Sequence, residues 1–248
     1  MAAALIGPIL AVLLAIWPLG TAQVQPSETA VNSAGGGVLA ERLAHWPDWS
    51  LPAPLPRPGR RDLVYPDSFE GSWEVRSEEM VPGSAAPLTY RVRFARNQRG
   101  ELVGDRAFNA AQVGKALLGP QLLAVANDPA NPNRQLASLR GELSLESTVV
   151  GRRSQAGPGG RFIADELALQ VVHGPGGARI SRVETLTRYE PAALSPGQPV
   201  RLHAMQWQAT YPSPENGLAA VPLNTHSFNL DLQQVSTPPL TVPQGQAR

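Results

Sequence analysis

Leu139-Arg140-Gly141-Glu142-Leu143-Ser144-Leu145-Glu146-Ser147-Thr148-Val149 is the stretch that decides the fold class of this chain. Its odd positions read Leu, Gly, Leu, Leu, Ser, Val; its even positions read Arg, Glu, Ser, Glu, Thr. A β-strand sends successive side chains to opposite faces, so a period of two gives one apolar face and one wet face. Similar alternation recurs between Trp73 and Val235, punctuated by glycine and proline turns, and argues for an antiparallel sheet. Such a sheet must cover its apolar face by closing into a barrel, packing on a second sheet or taking on a helix.

On the C-terminal side, Gly157-Pro158-Gly159-Gly160 and Gly174-Pro175-Gly176-Gly177 repeat the same four letters around 161–173. Proline presets one turn angle and glycine accepts positive φ, so both read as hairpin tips. They define a meander with strands over about 139–155, 161–173 and 178–190. Two more strands are expected at 200–211, where Met205, Trp207, Ala209 and Tyr211 share a face, and at 224–235, where Phe228, Leu230 and Leu232 share one. On the N-terminal side, Phe69-Glu70-Gly71-Ser72-Trp73-Glu74-Val75 turns into a first strand, and Leu88, Tyr90, Val92 and Phe94 alternate along its hairpin partner beyond Pro82-Gly83-Ser84. Alanine-rich residues 104–118 predict one helix, ended by Gly119-Pro120 and able to plug an open end of the sheet. Asp128-Pro129-Ala130-Asn131-Pro132-Asn133 reads as a turn cluster after a short strand at 122–125. The count is seven strands, or eight with that one, and predicts a mainly β barrel or strongly curved sheet with one helix. A two-sheet sandwich is the alternative.

The 248 residues, 42% hydrophobic, are ample for a core. With 21 basic and 20 acidic residues interspersed, no continuous field draws the chain to nucleic acid. The absence of cysteine excludes disulfides, thiolate metal sites and a cysteine nucleophile.

Ala2 to Leu19 carry no charged side chain, and Gly20-Thr21-Ala22 supplies the small residues a signal peptidase reads, so 1–22 is expected to be a signal peptide or an N-terminal anchor. Residues 23–37 read as a disordered spacer, 38–61 as a Trp/Pro-rich extended segment, 62–236 as the β domain and 237–248 as a disordered tail. In the extended segment, Trp46-Pro47-Asp48-Trp49 either docks another protein or wraps the domain's own surface. The second is favoured, because aromatic area seldom stays exposed.

Phe69-Glu70-Gly71-Ser72-Trp73 resembles the Gly-x-Trp first-strand signature of lipocalin-type barrels. That likeness implies a barrel closed at the Gly-x-Trp end, although lipocalins place their main helix after the strands. A wider resemblance rests on Trp46-Pro47-Asp48-Trp49, Leu51-Pro52-Ala53-Pro54-Leu55, Asp62-Leu63-Val64-Tyr65-Pro66, Gly104-Asp105-Arg106-Ala107-Phe108-Asn109, Asn131-Pro132-Asn133-Arg134-Gln135 and Gln206-Trp207-Gln208-Ala209-Thr210-Tyr211-Pro212. These segments resemble an uncharacterised family from cyanobacteria and the lumen side of plant chloroplast thylakoids. The resemblance implies a thylakoid-lumen or periplasmic home and brings no catalytic residue with it.

Chemistry-bearing motifs are sparse. His45, His173, His203 and His226 stand singly, without metal-ligand spacing, and neither a Gly-x-Ser-x-Gly elbow nor a phosphate-cradling loop occurs. Asp165 and Glu166 fall on opposite faces of a strand and cannot serve as one acid–base pair; Asp165, beside Leu167 and Leu169, is either wet or salt-bridged. No catalytic residue, metal ligand or cofactor is therefore assigned. Trp73, Tyr90, Phe94, Met205, Trp207 and Tyr211 are expected to line the barrel, as packed core or as a pocket for one small hydrophobic ligand such as a lipid, quinone or pigment. Trp46 and Trp49 are the candidate partner-binding residues. Two functional classes follow. One is a non-catalytic exported monomer that carries an apolar molecule or assists assembly of a photosynthetic membrane complex. The other is a hydrolase or isomerase acting on a small hydrophobic substrate.

Overall fold

The computed structural model describes residues 38–51, 55–81, 85–192, 199–216 and 221–235. The segments expected over 1–22, 23–37 and 237–248 lie outside the described residues, as does Pro82-Gly83-Ser84.

Among the described residues, ten antiparallel strands form one curled half-barrel sheet. They are β1 Gly71–Glu79, β2 Leu88–Arg96, β3 Leu102–Gly104, β4 Leu122–Asp128, β5 Asn131–Leu139, β6 Leu143–Ala156, β7 Phe162–Gly174, β8 Gly177–Pro191, β9 Arg201–Tyr211 and β10 Asn224–Val235. Their order is β3-β2-β1-β10-β9-β8-β7-β6-β5-β4, so only β1 and β10 pair without being consecutive in the chain. The two edges, β3 and β4, are consecutive, and helix α2 (Arg106–Leu118, following the short helix α1 at Val38–Ala44) joins them while packing against β2 and β4. The alanine-rich segment thus spans the gap that the sheet leaves open. Asp105 caps α2 by accepting a hydrogen bond from the Phe108 N–H at 3.2 Å, and fully buried Asn109 both donates to and accepts from the Arg93 backbone, fastening α2 to β2.

Two strands stand beyond the expected eight: β5 begins at Asn131, within the stretch expected to be a turn cluster, and the three-residue β3 lies in a stretch given no strand, just ahead of α2. The decisive stretch is two strands, because Gly141 and Glu142 take φ of 77° and 59° between β5 and β6. Leu139 and Leu143 stand directly opposite one another, so odd positions face the same side on both strands and the alternation runs through the turn unbroken. A bulge between Val149 and Gly151 then shifts the parity. The two glycine-rich repeats are hairpin tips, with Gly159, Gly160 and Gly177 at positive φ.

One end of the concave side is plugged by aromatic rings. Tyr65, Phe69, Phe94, Phe162 and Tyr189 lie with ring centroids 4.7 to 6.4 Å apart, and Trp73, fully buried, donates its Nε1–H to the Phe69 carbonyl at 2.8 Å. The convex side of β8 and β9 is covered too. A strap running from α1 through Trp49 to Leu51 packs Leu39 and Trp49 on Leu186, Trp207, Ala209 and Tyr211. Residues 38–44 are helical where an extended path was expected, because proline begins only at Pro47 and Leu39 and Leu43 share a helical face.

Candidate functional site

The predicted lining does not converge. Trp73, Tyr90 and Phe94 are buried on the concave face, whereas Met205, Trp207 and Tyr211 face the convex side beneath the strap. On β9 the alternation was therefore assigned the wrong way round. Leu202, Ala204, Gln206, Gln208 and Thr210 face inward, since Gln206 stands opposite Phe228 and Ala204 opposite Leu230. Both faces of β9 are buried, and hydrophobicity alone picks the face under the strap. Trp46 and Trp49 pack edge to face at 4.8 Å; Trp49 is buried and Trp46 is partly so.

The concave face carries instead a polar patch that the sequence reading missed. Gln206 and Gln208 on β9 stand opposite Thr187 and Thr185 on β8, which stand opposite Ala164 and Glu166 on β7. Further from the aromatic plug, Thr210 faces Val183, and Gln170 on β7 faces Ser181. Gln206 donates to the Thr187 hydroxyl at 2.9 Å and Gln208 to that of Thr185 at 3.5 Å. Both amide atoms of Gln170, the amide oxygens of Gln206 and Gln208, and the hydroxyls of Ser181 and Thr210 have no hydrogen-bond partner. Gln170, Gln206 and Gln208 are at most 1% exposed. Ala164 and Ala168, both buried, share this face of β7 with Glu166 and Gln170.

Charged groups flank the patch in matched sets. Glu166 accepts from Arg106 Nη2 at 2.8 Å and Arg152 Nε at 2.6 Å, while Arg106 Nε also reaches Asp62 at 2.7 Å. Burial alone raises the Glu166 carboxyl, but the two guanidiniums outweigh it and hold the group below its ordinary value. Burial likewise lowers Arg106, and Glu166 and Asp62 outweigh it and raise it. On the other flank, His226 Nδ1 lies 2.7 Å from the Glu79 carboxylate and its ring stacks on Phe228. A cleft of about 420 Å³, lined in part by Asp62, Gly104, Arg106 and Asp128, lies at the seam between β3 and the β4–β5 turn.

Asp165 does lie opposite in face to Glu166 and is salt-bridged, as one of its two expected environments requires. It is fully buried on the convex side, with Arg153 Nε donating at 2.9 Å. Nearby, Arg42 of the strap donates to both oxygens of buried Glu184, and the Tyr211 hydroxyl donates to Glu184 at 2.7 Å. Among the described residues no group of three His, Asp or Glu side chains could hold a metal ion, and no helix is long and apolar enough to cross a membrane.

No match is found among curated proteins or solved structures. A family model matches residues 58–224, from ahead of the aromatic plug to the start of β10. The chain therefore belongs to the family described as a domain of unknown function, DUF6816.

Proposed function

We propose that this is a non-catalytic exported protein of the thylakoid lumen or periplasm that holds one small molecule against the concave face of its half-barrel. The compartment rests on the uncharged run Ala2 to Leu19 with small residues after it. The ligand rests on one observation: unpartnered polar atoms of Gln170, Ser181, Gln206, Gln208 and Thr210 are gathered on three adjacent strands. Each such atom costs about 1–3 kcal/mol when buried alone, so a cluster of them argues for a guest that pairs with them. A lipid, quinone or pigment with a polar end satisfies both the patch and the apolar wall around it. The β1, β9 and β10 end of the sheet, opposite the aromatic plug, exposes Met80, Val81, Val221 and Leu223, an apolar rim suited to delivery from, or assembly work at, a membrane complex.

Native mass spectrometry with an absorption spectrum, on chain purified gently from a photosynthetic host, tests this. A bound molecule near one to one, lost in Gln170→Leu, is the expected result. An apo chain that Gln170→Leu makes more stable contradicts it. The hydrolase or isomerase reading draws on the His226–Glu79 pair, a positioned imidazole opposite Gln208. Turnover of the co-purified molecule, abolished in His226→Gln, would establish that reading instead.

A further inference from the structure

The chemistry of the guest can be read from what the patch leaves free, provided that the concave face holds a small molecule as proposed. None of the patch's unpartnered atoms belongs to a charged group: they are amide atoms of Gln170, Gln206 and Gln208 and hydroxyls of Ser181 and Thr210, the unpartnered Asp165 oxygen lying on the convex side. The charged side chains beside them are already matched, Glu166 with Arg106 and Arg152, Asp62 with Arg106, and Glu79 with His226. An ionic guest would have to enter a buried site without a counter-charge, which desolvation opposes. A hydrocarbon guest would leave all these amides and hydroxyls unpaired.

The arrangement narrows the choice further. Gln206 and Gln208 each use one amide atom on a threonine hydroxyl, so whichever way the amide is turned one polar atom remains. Gln170 has both amide atoms to offer. A hydroxyl group both donates and accepts, and so satisfies any of these atoms in either orientation. Gln206 and Gln208 lie two residues apart on β9, roughly 7 Å along the strand. Gln170 stands on β7, with β8 between it and that pair. One hydroxyl cannot reach all three; several on one head group can. Phe228 and Ala204, on the same face, provide an apolar wall for an attached tail.

We infer that the guest presents an uncharged, multiply hydroxylated head group to the amides of Gln170, Gln206 and Gln208. It is a neutral glycolipid-like or polyol-bearing amphiphile rather than an anionic lipid or a bare hydrocarbon.

The test compares three probes with the same eight-carbon chain, octyl glucoside, octanoate and octyltrimethylammonium, each kept below micelle formation. They are titrated into the ¹⁵N-labelled purified chain while the side-chain amide signals of Gln170, Gln206 and Gln208 are followed. Octyl glucoside is expected to bind saturably and shift these signals, with the two ionic probes weaker by about tenfold or more. Gln170→Leu is expected to weaken octyl glucoside by about tenfold, and Thr210→Val, a gentler change read in the same spectra, to weaken it measurably. Equal or tighter binding of an ionic probe at these amides overturns the neutral head group and leaves the small-molecule reading standing. Octyl glucoside binding that ignores both substitutions overturns the placement. Failure of all three probes, with nothing co-purifying, overturns both.

Discussion

Arg106 at the start of α2 and Glu166 in the middle of β7 meet on the concave side through a 2.8 Å hydrogen bond, 60 residues apart in the chain. That contact ties the helix closing the sheet to the strand carrying Gln170. Because Glu166 also holds Arg152, replacing it takes one of two neighbouring carboxylates from both guanidiniums and leaves Asp62 alone to balance them. Glu166→Gln is expected to lower the unfolding free energy by about 3–5 kcal/mol in urea titration. A loss below about 1 kcal/mol would show that water already reaches this network.

Trp73 has no exposed surface and gives its only donor to the Phe69 carbonyl. Trp73→Ala should leave a cavity at the aromatic plug and cost about 3–5 kcal/mol. An unchanged melting curve would contradict its place in the core.

Asp165 makes stability depend on pH. Burial, and then the charge of Glu184, push its carboxyl from 3.8 up to about 7 against the pull of Arg153. The folded chain therefore holds this proton more tightly than the unfolded chain. Its contribution to stability is complete below about pH 4 and is lost as pH rises through about 7. Asp165→Asn stays neutral throughout, so its stability relative to the unaltered protein should climb by roughly 1 kcal/mol per pH unit across that window. A difference that stays flat from about pH 5 to about pH 8 would remove Asp165 from this role.

The strap is held by charge as well as by apolar area. Arg42 lies over the Trp49 ring at 4.4 Å and pairs with Glu184, which has no exposure. Arg42→Met should destabilise the protein by about 3–5 kcal/mol through the unpaired Glu184, with a change in Trp49 fluorescence at low denaturant. Intact fluorescence and stability together would show that the strap is held by its leucines and tryptophans alone.

Gly151 sits at the bulge in β6, where an added Cβ would come within 2.6 Å of the Leu55 side chain. Gly151→Ala is expected to cost about 1–3 kcal/mol by lifting the segment around Leu55 off the sheet. Circular dichroism thermal melts would detect this, and an unshifted midpoint would mean that Leu55 yields freely.

The strands were legible wherever one face is wet. β1, β2 and β10 alternate cleanly because their outward positions, such as Glu74, Arg91 and Asp231, are exposed. α2 was legible from alanine content and the Gly119-Pro120 stop. β9 was not, since the strap buries Trp207 and Tyr211 on one side while Gln206 and Gln208 are buried on the other. Periodicity separates two faces without saying which is concave. The candidate site inherited that ambiguity: the face carrying Gln206 and Gln208 is placed inward only by the register, which sets Gln206 opposite Phe228 and, next along β9, Ala204 opposite Leu230. Glu166 was seen only as the neighbour of Asp165, because its partners Arg106 and Arg152 come from α2 and β6.

The closure by α2 has a mechanical consequence. Between β2 and β4 the wall is a helix whose backbone hydrogen bonds run along its own axis, so parting α2 from β4 breaks side-chain contacts and no ladder bond between strands. A fully hydrogen-bonded barrel has no such line of weakness. Here the shell can widen at one longitudinal join while every strand keeps its partners, so the interior is accessible at a lower energetic cost than unzipping any two strands.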